Sequence, residues 1–124
     1  QLAEDAASTT AEQLKALAHA YLSFGAESPD LYRLMFAADA GEPSSIHADP
    51  RALAPFQLVI HALENGQRVN AVRRRSVLGQ ATACWAHLHG LTTLSIDGRL
   101  IPAKVGDNAV EEALTTLLDG LVLD

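Results

Sequence analysis

The chain has 124 residues, of which 48% are hydrophobic and 19% are charged, and its formal net charge at pH 7 is −6. This length suits one domain, and the composition is that of a globular rather than a disordered protein. The acidic balance argues against nucleic-acid binding through bulk charge. A single cysteine excludes an internal disulfide and agrees with a cytoplasmic location. No apolar run approaches the ~20 residues that span a bilayer, so no membrane partner is expected.

The chain opens on a polar stretch, QLAEDAASTT, and its only methionine is Met35. We interpret residues 1–9 as a linker or the end of an upstream helix, and residues 10–124 as the domain. We therefore expect the chain to be a piece of a longer protein.

Apolar residues at three- and four-residue spacing, together with capping signals, predict five helices and an all-α fold. Ser28-Pro29 and Asp49-Pro50 each place a capping residue before a proline, which marks the starts of the second and third helices. Pro55 predicts either a later start or a kink in the third helix, and Gly66 is expected to end it as a left-handed cap. The predicted spans are residues 10–26, 29–39, 50–65 and 71–96, followed by a loop over 99–106 and a final helix capped by Asp107 or Asn108.

The fourth predicted helix, with Asn70 as its cap, is apolar on two faces. One stripe consists mostly of small side chains, so that another helix can approach closely: Val77, Ala81, Cys84, Leu88, Leu91 and Ser95. The other stripe combines large and polar groups: Leu78, Thr82, Trp85, His89 and Thr92. The first face therefore suits packing, and the second suits the lining of a site.

Trp85 and His89 are four residues apart and are neighbours on one helix face. Two interpretations stay open for them. They belong to the core, with His89 bonded to a carbonyl, or they form a cavity wall in which Trp85 supplies apolar area and His89 orients a polar group of a ligand. Side chains from the other helices that would complete such a wall are Tyr21, Phe24, Tyr32, Met35, Phe36, Phe56 and Ile60, with Thr82 on the fourth helix.

The histidines His47, His61, His87 and His89 raise the question of a metal site. His87 and His89 point about 200° apart on a helix, so they cannot share one metal ion. Cys84 and His87 have chelating spacing, but the sequence places no third or fourth ligand. We therefore expect no metal and no cofactor, and we interpret Cys84 as a small buried hydrophobe rather than a nucleophile.

Arg73-Arg74-Arg75 forms a basic run. Three arginines in an acidic domain are weak evidence for a nucleic-acid binding site, so we interpret them as the solvated start of the long helix. The sequence contains no nucleophile-elbow, P-loop or dinucleotide-binding motif, and no catalytic residue is predicted.

Several motifs together resemble the C-terminal regulatory domain of tetracycline-repressor-like (TetR) transcription factors, over about residues 10–123. They are the pattern W-x-x-x-H-G at Trp85, His89 and Gly90, the segment SPDLYRLMF at 28–36, the Asp97-Gly98 pair after the long helix, and a leucine-rich last helix. The resemblance is nearest to the WHG-domain subgroup. Pro55 and Gly79 depart from the family pattern.

The resemblance implies a ligand-binding and dimerisation domain rather than an enzyme. Because the candidate wall is largely apolar and aromatic, with a few hydroxyl and imidazole groups, we expect a small apolar or aromatic effector that is neutral or weakly polar. The implied partners are a second copy of the chain, the effector, and DNA only through an N-terminal helix-turn-helix domain that this chain lacks. An alternative is a small helical enzyme or a structural module that uses the same cavity, with His89 or Cys84 as its reactive group. In the family, the last two long helices pack against the same two helices of a second copy and form a four-helix bundle. The residues implied in this dimer interface are Val77, Ala81, Cys84, Leu88, Leu91, Ser95, Val110, Leu114, Leu117 and Leu121.

Overall fold

The fold was described from a computed structural model, which describes the backbone of residues 2–35 and 50–123 and the side chains of residues 5–35 and 54–123. Phe36, His47 and the end of the second predicted helix, residues 36–39, lie outside these ranges. Within them the chain is all-α, as predicted, and its extended pairing is a single antiparallel bridge between Val72 and Val122. The helices are α1 (Leu2–Glu27), α2 (Pro29–Met35), α3 (Pro50–Arg68), α4 (Val77–Ile96), α5 (Pro102–Val105) and α6 (Ala109–Leu121).

Helix α1 is the centre of the fold, since it contacts α2, α3, α4 and α6. Its apolar stripe packs into two adjoining core clusters, one around Leu14 and one around Ala18. The two clusters join α1 to α3, α4 and α6. The first consists of Leu14, Val59, Ala62, Leu63, Val72, Ala81, Cys84, Leu118 and Leu121, and the second of Ala18, Leu88, Leu91 and Leu114.

None of the helices in the described ranges has the length and apolar character needed to cross a membrane.

Helix α1 is longer than predicted, because it begins at Leu2 rather than near residue 10. Ala7 and Thr10 are both buried in this first part. Packing against the rest of the domain therefore makes one continuous helix through a stretch that the sequence analysis interpreted as a linker or the end of an upstream helix.

The end of helix α3 corrects the prediction for Gly66. The helix includes Pro55 and continues past Gly66 to Arg68. The residue with a positive φ is Asn70, at 62°, and Gly66 is not among the glycines with positive φ. Gly66 instead lies against Val72 and Thr10. A glycine is needed there for close packing and not for a left-handed turn.

The long helix α4 starts at Val77, six residues later than predicted. Ser76 is its N-cap, and the Ser76 hydroxyl accepts a hydrogen bond from the Gly79 amide at 3.1 Å. The preceding residues are extended because they pair with the end of the chain: Arg73 N–H donates to the Leu121 carbonyl, and Leu123 N–H donates to the Ala71 carbonyl. Arg73, Arg74 and Arg75 are exposed but lie before the helix, so the prediction that they begin it was wrong.

The carboxyl end of α4 agrees with the sequence. Asp97 is the C-cap, and Gly98 has a φ of 67°. The predicted loop 99–106 contains the one-turn helix α5. Asn108 occupies the N-cap position of α6 without a side-chain capping bond. The predicted stripe of α6 faces inward, with Leu114, Leu118 and Leu121 buried and Val110, Ala113 and Leu117 packed against the core.

Candidate functional site

A connected set of aromatic rings lies between the central helices and reaches the surface at Trp85, which is 45% exposed. Each ring contacts at least one other ring of the set at a centroid distance between 5.7 and 6.4 Å. The rings come from four helices, α1 to α4, and lie mostly edge to face, an arrangement that stabilises aromatic pairs. The members are Phe24, Tyr21, Tyr32, His89, Trp85 and Phe56.

Two hydrogen bonds run through this set and join three helices. The hydroxyls of Tyr21 and Tyr32 are 3.1 Å apart, and the Tyr32 hydroxyl is 2.7 Å from Nδ1 of His89. Tyr32 is only 2% exposed. Since a buried hydroxyl needs its partners, this bonded chain fixes α2 against both α1 and α4.

Burial keeps all three groups uncharged near neutral pH. It raises the pKa of Tyr21, and the hydrogen bond from Tyr32 adds to that rise. Burial also raises the pKa of Tyr32 and lowers the pKa of His89. A neutral imidazole offers one nitrogen as a donor and the other as an acceptor. The chain of hydrogen bonds can therefore run in either direction.

An open cleft of about 180 Å³ lies beside Tyr32 and His89, between α2 and the carboxyl-terminal half of α4. For comparison, an engineered apolar cavity of roughly 150 Å³ holds a benzene molecule. The cleft therefore has room for a small ring with a substituent. Its lining residues are Tyr32, Arg33, His89, Thr93, Ile96 and Asp97.

An ion pair joins α2 to the end of α4 at the rim of this cleft. Nη2 of Arg33 donates to Oδ1 of Asp97 at 2.8 Å, while Asp30 lies 4.0 Å from the same guanidinium. The side chains of Arg33 and Asp97 are 54% and 42% exposed. A pair this exposed contributes at most about 1 kcal/mol to stability, so it is easily exchanged for another contact.

Of the ten side chains predicted to bind a ligand, only Tyr32 and His89 line the cleft. Met35 is half-buried at the end of α2, and Ile60 packs against the main core. Thr82 is exposed, with its hydroxyl bonded to the Leu78 carbonyl. Phe36 lies outside the described residues. The other four form part of the aromatic set: Tyr21, Phe24, Phe56 and Trp85.

Four cleft residues were not predicted: Arg33, Thr93, Ile96 and Asp97. Thr93 and Ile96 follow His89 by four and seven residues, so they continue its helix face by one and two turns. Extending the second stripe of α4 beyond Thr92 would have found both of them. Arg33 and Asp97 carry no such signal, because their pairing joins parts of the chain that are distant in sequence.

The predicted dimer stripe is mostly covered by the chain's own helices. Ala81, Cys84, Leu88, Leu91, Leu114 and Leu121 are buried in the core. Val77, Val110 and Leu117 are half-buried and pack against it, whereas Ser95 is exposed. Side chains held inside one chain cannot contact a second chain in this arrangement.

Three further features limit the chemistry. A second cavity of about 20 Å³, lined by leucines around Cys84 and Leu88, has room for about one water molecule. Burial raises the pKa of Cys84 to about 11, which keeps the thiol protonated at neutral pH. No group of three or more His, Cys, Asp or Glu side chains in the described part of the chain is placed to hold a metal ion.

Comparison with known proteins identifies a family. A family model described as "Tetracyclin repressor-like, C-terminal domain" matches residues 14–121. Searches of curated proteins and of solved structures gave no significant match. The WHG-domain subgroup stays a prediction. The match covers nearly the whole chain, from Leu14 in α1 to the end of α6, and the chain therefore belongs to the tetracycline-repressor-like C-terminal domain family.

Proposed function

We propose that this chain is the effector-binding and dimerisation domain of a cytoplasmic transcriptional repressor. In this proposal a small aromatic ligand enters the cleft between α2 and α4. Its binding changes how DNA is held by a helix-turn-helix domain on the N-terminal side. A ligand shifts such an equilibrium only by its different affinity for the two states of the protein.

The observation that carries this proposal is the hydrogen-bonded chain from Tyr21 through Tyr32 to His89. It joins three helices, and two of its members also line the cleft. A ligand that bonds to Tyr32 or His89 therefore reaches groups that help to hold α2 in position. Because α2 has only seven residues, these contacts are a large part of what fixes it.

For dimerisation we propose a face made of small residues of α4 and α6 that are exposed or partly exposed. On α4 these are Gly79, Ala83, Ala86 and Gly90, at four-, three- and four-residue spacing. A Cβ added at Gly90 would meet nothing within 4 Å. A glycine inside a helix costs roughly 0.5–1 kcal/mol relative to alanine, and the described part of the chain offers no contact that requires Gly90.

Helix α6 continues this pattern at Ala113, Thr116 and Gly120, and Gly120 also has open space around its Cα. Accessible small residues on neighbouring helices allow the close approach found in four-helix bundles, where helix axes lie about 8–10 Å apart. This face replaces the buried stripe that the sequence pattern suggested.

Ala86→Glu tests this proposed dimer face. It places a carboxylate in the middle of the face on both copies, and like charges opposed in an interface cost several kcal/mol. We expect the dimer dissociation constant, measured by analytical ultracentrifugation, to rise about a hundredfold or more. Ala16→Glu is the matched control, since Ala16 is an exposed residue of α1. A wild-type chain that is monomeric at micromolar concentration would contradict the proposal.

Effector binding is tested with the fluorescence of Trp85, the only tryptophan of the chain. Its ring lies 6.4 Å from that of His89. We expect at least one benzene-sized probe to change the emission in a saturable manner, and Thr93→Leu, which fills the cleft, to abolish the effect. Emission that changes equally in wild type and in Thr93→Leu would count against the cleft as the binding site.

The enzyme and structural alternatives have less support. The protonated thiol of Cys84 is a poor nucleophile at neutral pH, and it lies in the core rather than at the cleft. The open cleft of about 180 Å³ beside Tyr32 and His89, with its polar and charged lining, supports ligand binding over a purely structural role.

A further inference from the structure

The cleft lining carries one guanidinium and one carboxylate, and a second, fully exposed carboxylate outside the lining shares that guanidinium. Two carboxylates, Asp97 and Asp30, face the single guanidinium of Arg33, at 2.8 and 4.0 Å. Helix α4 also ends here, at Ile96, and the carboxyl end of a helix carries partial negative charge. The chain as a whole has a net charge of −6. These charges favour a cation in the cleft over an anion.

Asp97 is available to a second cation. Its carboxylate accepts from Arg33 through Oδ1, and this is its one side-chain hydrogen bond within the described ranges. Both partners are about half exposed, so water weakens the attraction between them and the pair contributes little. A ligand cation that reaches Asp97 from inside the cleft can take the place of the guanidinium.

The remaining walls suit an aromatic ligand with such a group. The rings of Tyr32 and His89 are stacked, with centroids 5.7 Å apart and planes 25° from parallel. The edges of these rings and the side chain of Ile96 give the cleft an aromatic and apolar wall. Because burial lowers the pKa of His89, the imidazole is neutral and does not repel a cation.

We propose that the cleft takes a small aromatic ligand that carries a cationic amine, and that the amine binds Asp97 in place of Arg33. This inference rests on the proposed function of the cleft as the effector site, and it replaces the expectation of a neutral ligand. Losing the Arg33–Asp97 ion pair removes one of the links between α2 and the end of α4, which loosens the attachment of α2 when the ligand is bound.

The test compares three probes of equal size and different charge: benzylamine, benzyl alcohol and benzoate. Each is titrated into the 124-residue chain while the fluorescence of Trp85 is recorded. We expect benzylamine to bind about tenfold or more tightly than the other two, as a charge-assisted hydrogen bond requires. Amide hydrogen exchange in α2, measured at Tyr32 N–H, should become faster when benzylamine is bound.

Substitutions at the ion pair give opposite expected results. Asp97→Asn should reduce the affinity for benzylamine to that for benzyl alcohol. Arg33→Gln should increase it about two- to fivefold, because the competing cation is removed. Asp5→Asn and Arg74→Gln are the matched controls, since both residues are exposed and neither lines the cleft. They should leave the affinity unchanged.

Three results would overturn the inference. Benzyl alcohol or benzoate binding as tightly as benzylamine would reject the cationic class while the cleft stayed an effector site. Unchanged exchange in α2 at saturating benzylamine would reject the replacement of Arg33. If none of the three probes bound, the inference and the proposed use of the cleft would both fail.

Discussion

Gly66→Ala is the substitution that most directly tests how the helices are packed. A Cβ at this position would overlap with Cγ2 of Val72 and lie 3.1 Å from Cγ2 of Thr10. Both neighbours are β-branched, and such side chains have few alternative rotamers. Val72 is fully buried, and its segment is paired with the end of the chain. Neither neighbour has space to move away.

The expected size of the effect follows from two opposing terms. Overpacking a well-filled core lowers the free energy of unfolding by about 1–3 kcal/mol. Replacing glycine by alanine within a helix raises the free energy of unfolding by up to about 1 kcal/mol. We therefore expect Gly66→Ala to lower the free energy of unfolding by about 1–2 kcal/mol. With an m-value of about 2 kcal/mol/M in urea, the middle of the usual range, the midpoint should fall by about 0.5–1 M.

A double-mutant cycle with Val72→Ala identifies the cause. Val72→Ala alone should cost about 2 kcal/mol because it leaves a cavity. In that background the overlap with the valine side chain is absent, so Gly66→Ala should cost less than in wild type, with a coupling of about 1 kcal/mol or more. Urea unfolding is followed by circular dichroism at one fixed protein concentration, since dimerisation changes apparent stability.

Two results would refute this reasoning. If Gly66→Ala stabilised the protein, Gly66 would not be a close-packing position. If Gly66→Ala lowered the free energy of unfolding equally in wild type and in the Val72→Ala background, the loss would come from the backbone conformation of residue 66. That result would agree with the left-handed cap that the sequence predicted at Gly66.

Two further predictions concern the start of α4 and the buried thiol. Ser76→Ala should lower the free energy of unfolding by about 1 kcal/mol, because it removes the capping bond to Gly79 N–H. Asn108→Ala, at an N-cap without a side-chain bond, should change the free energy of unfolding little in the same urea experiment. Equal losses for the two variants would contradict the capping assignment. Burial raises the pKa of Cys84 from 9.0 to about 11, so its contribution to stability is complete below pH 9 and is lost as the pH rises towards 11. The difference in unfolding free energy between wild type and Cys84→Ala should shrink over this range, and a difference independent of pH would show that the thiol ionises as easily in the folded state as in the unfolded one.

Capping residues and turn residues in the sequence predicted those helix boundaries that depend on neighbouring residues. The Ser28-Pro29 pair sets the start of α2, and Gly98, with its positive φ, follows the end of α4. Boundaries that depend on distant contacts were not predictable in this way. The segment before Ser76 is extended because it pairs with residues near Val122, far along the chain, and no local pattern records that pairing.

The candidate site shows the same division. Periodicity correctly placed Trp85 and His89 on one face of α4, and it grouped aromatic residues that do contact one another. It also separated the small-residue stripe of α4 from this face. Periodicity cannot state whether a face is covered by the same chain or by a second one, and here Ala81, Cys84 and Leu88 are covered by α1, α3 and α6. The ion pair of Arg33 with Asp97 joins α2 to the end of α4. Because these residues are distant in sequence, periodicity could not predict their pairing.

The pairing of Val72 with Val122 also determines which parts of the domain can open independently. Ala71 and Val72 are fully buried, and the hydrogen bonds on either side of them come from the last turn of α6 and the segment that follows it. Unwinding that turn therefore uncovers the segment that leads into α4 as well. We therefore expect Arg73 N–H and Leu123 N–H, which are far apart in the chain, to exchange together, whereas the amides of Ala71 and Val72 stay bonded to the Gly66 carbonyl.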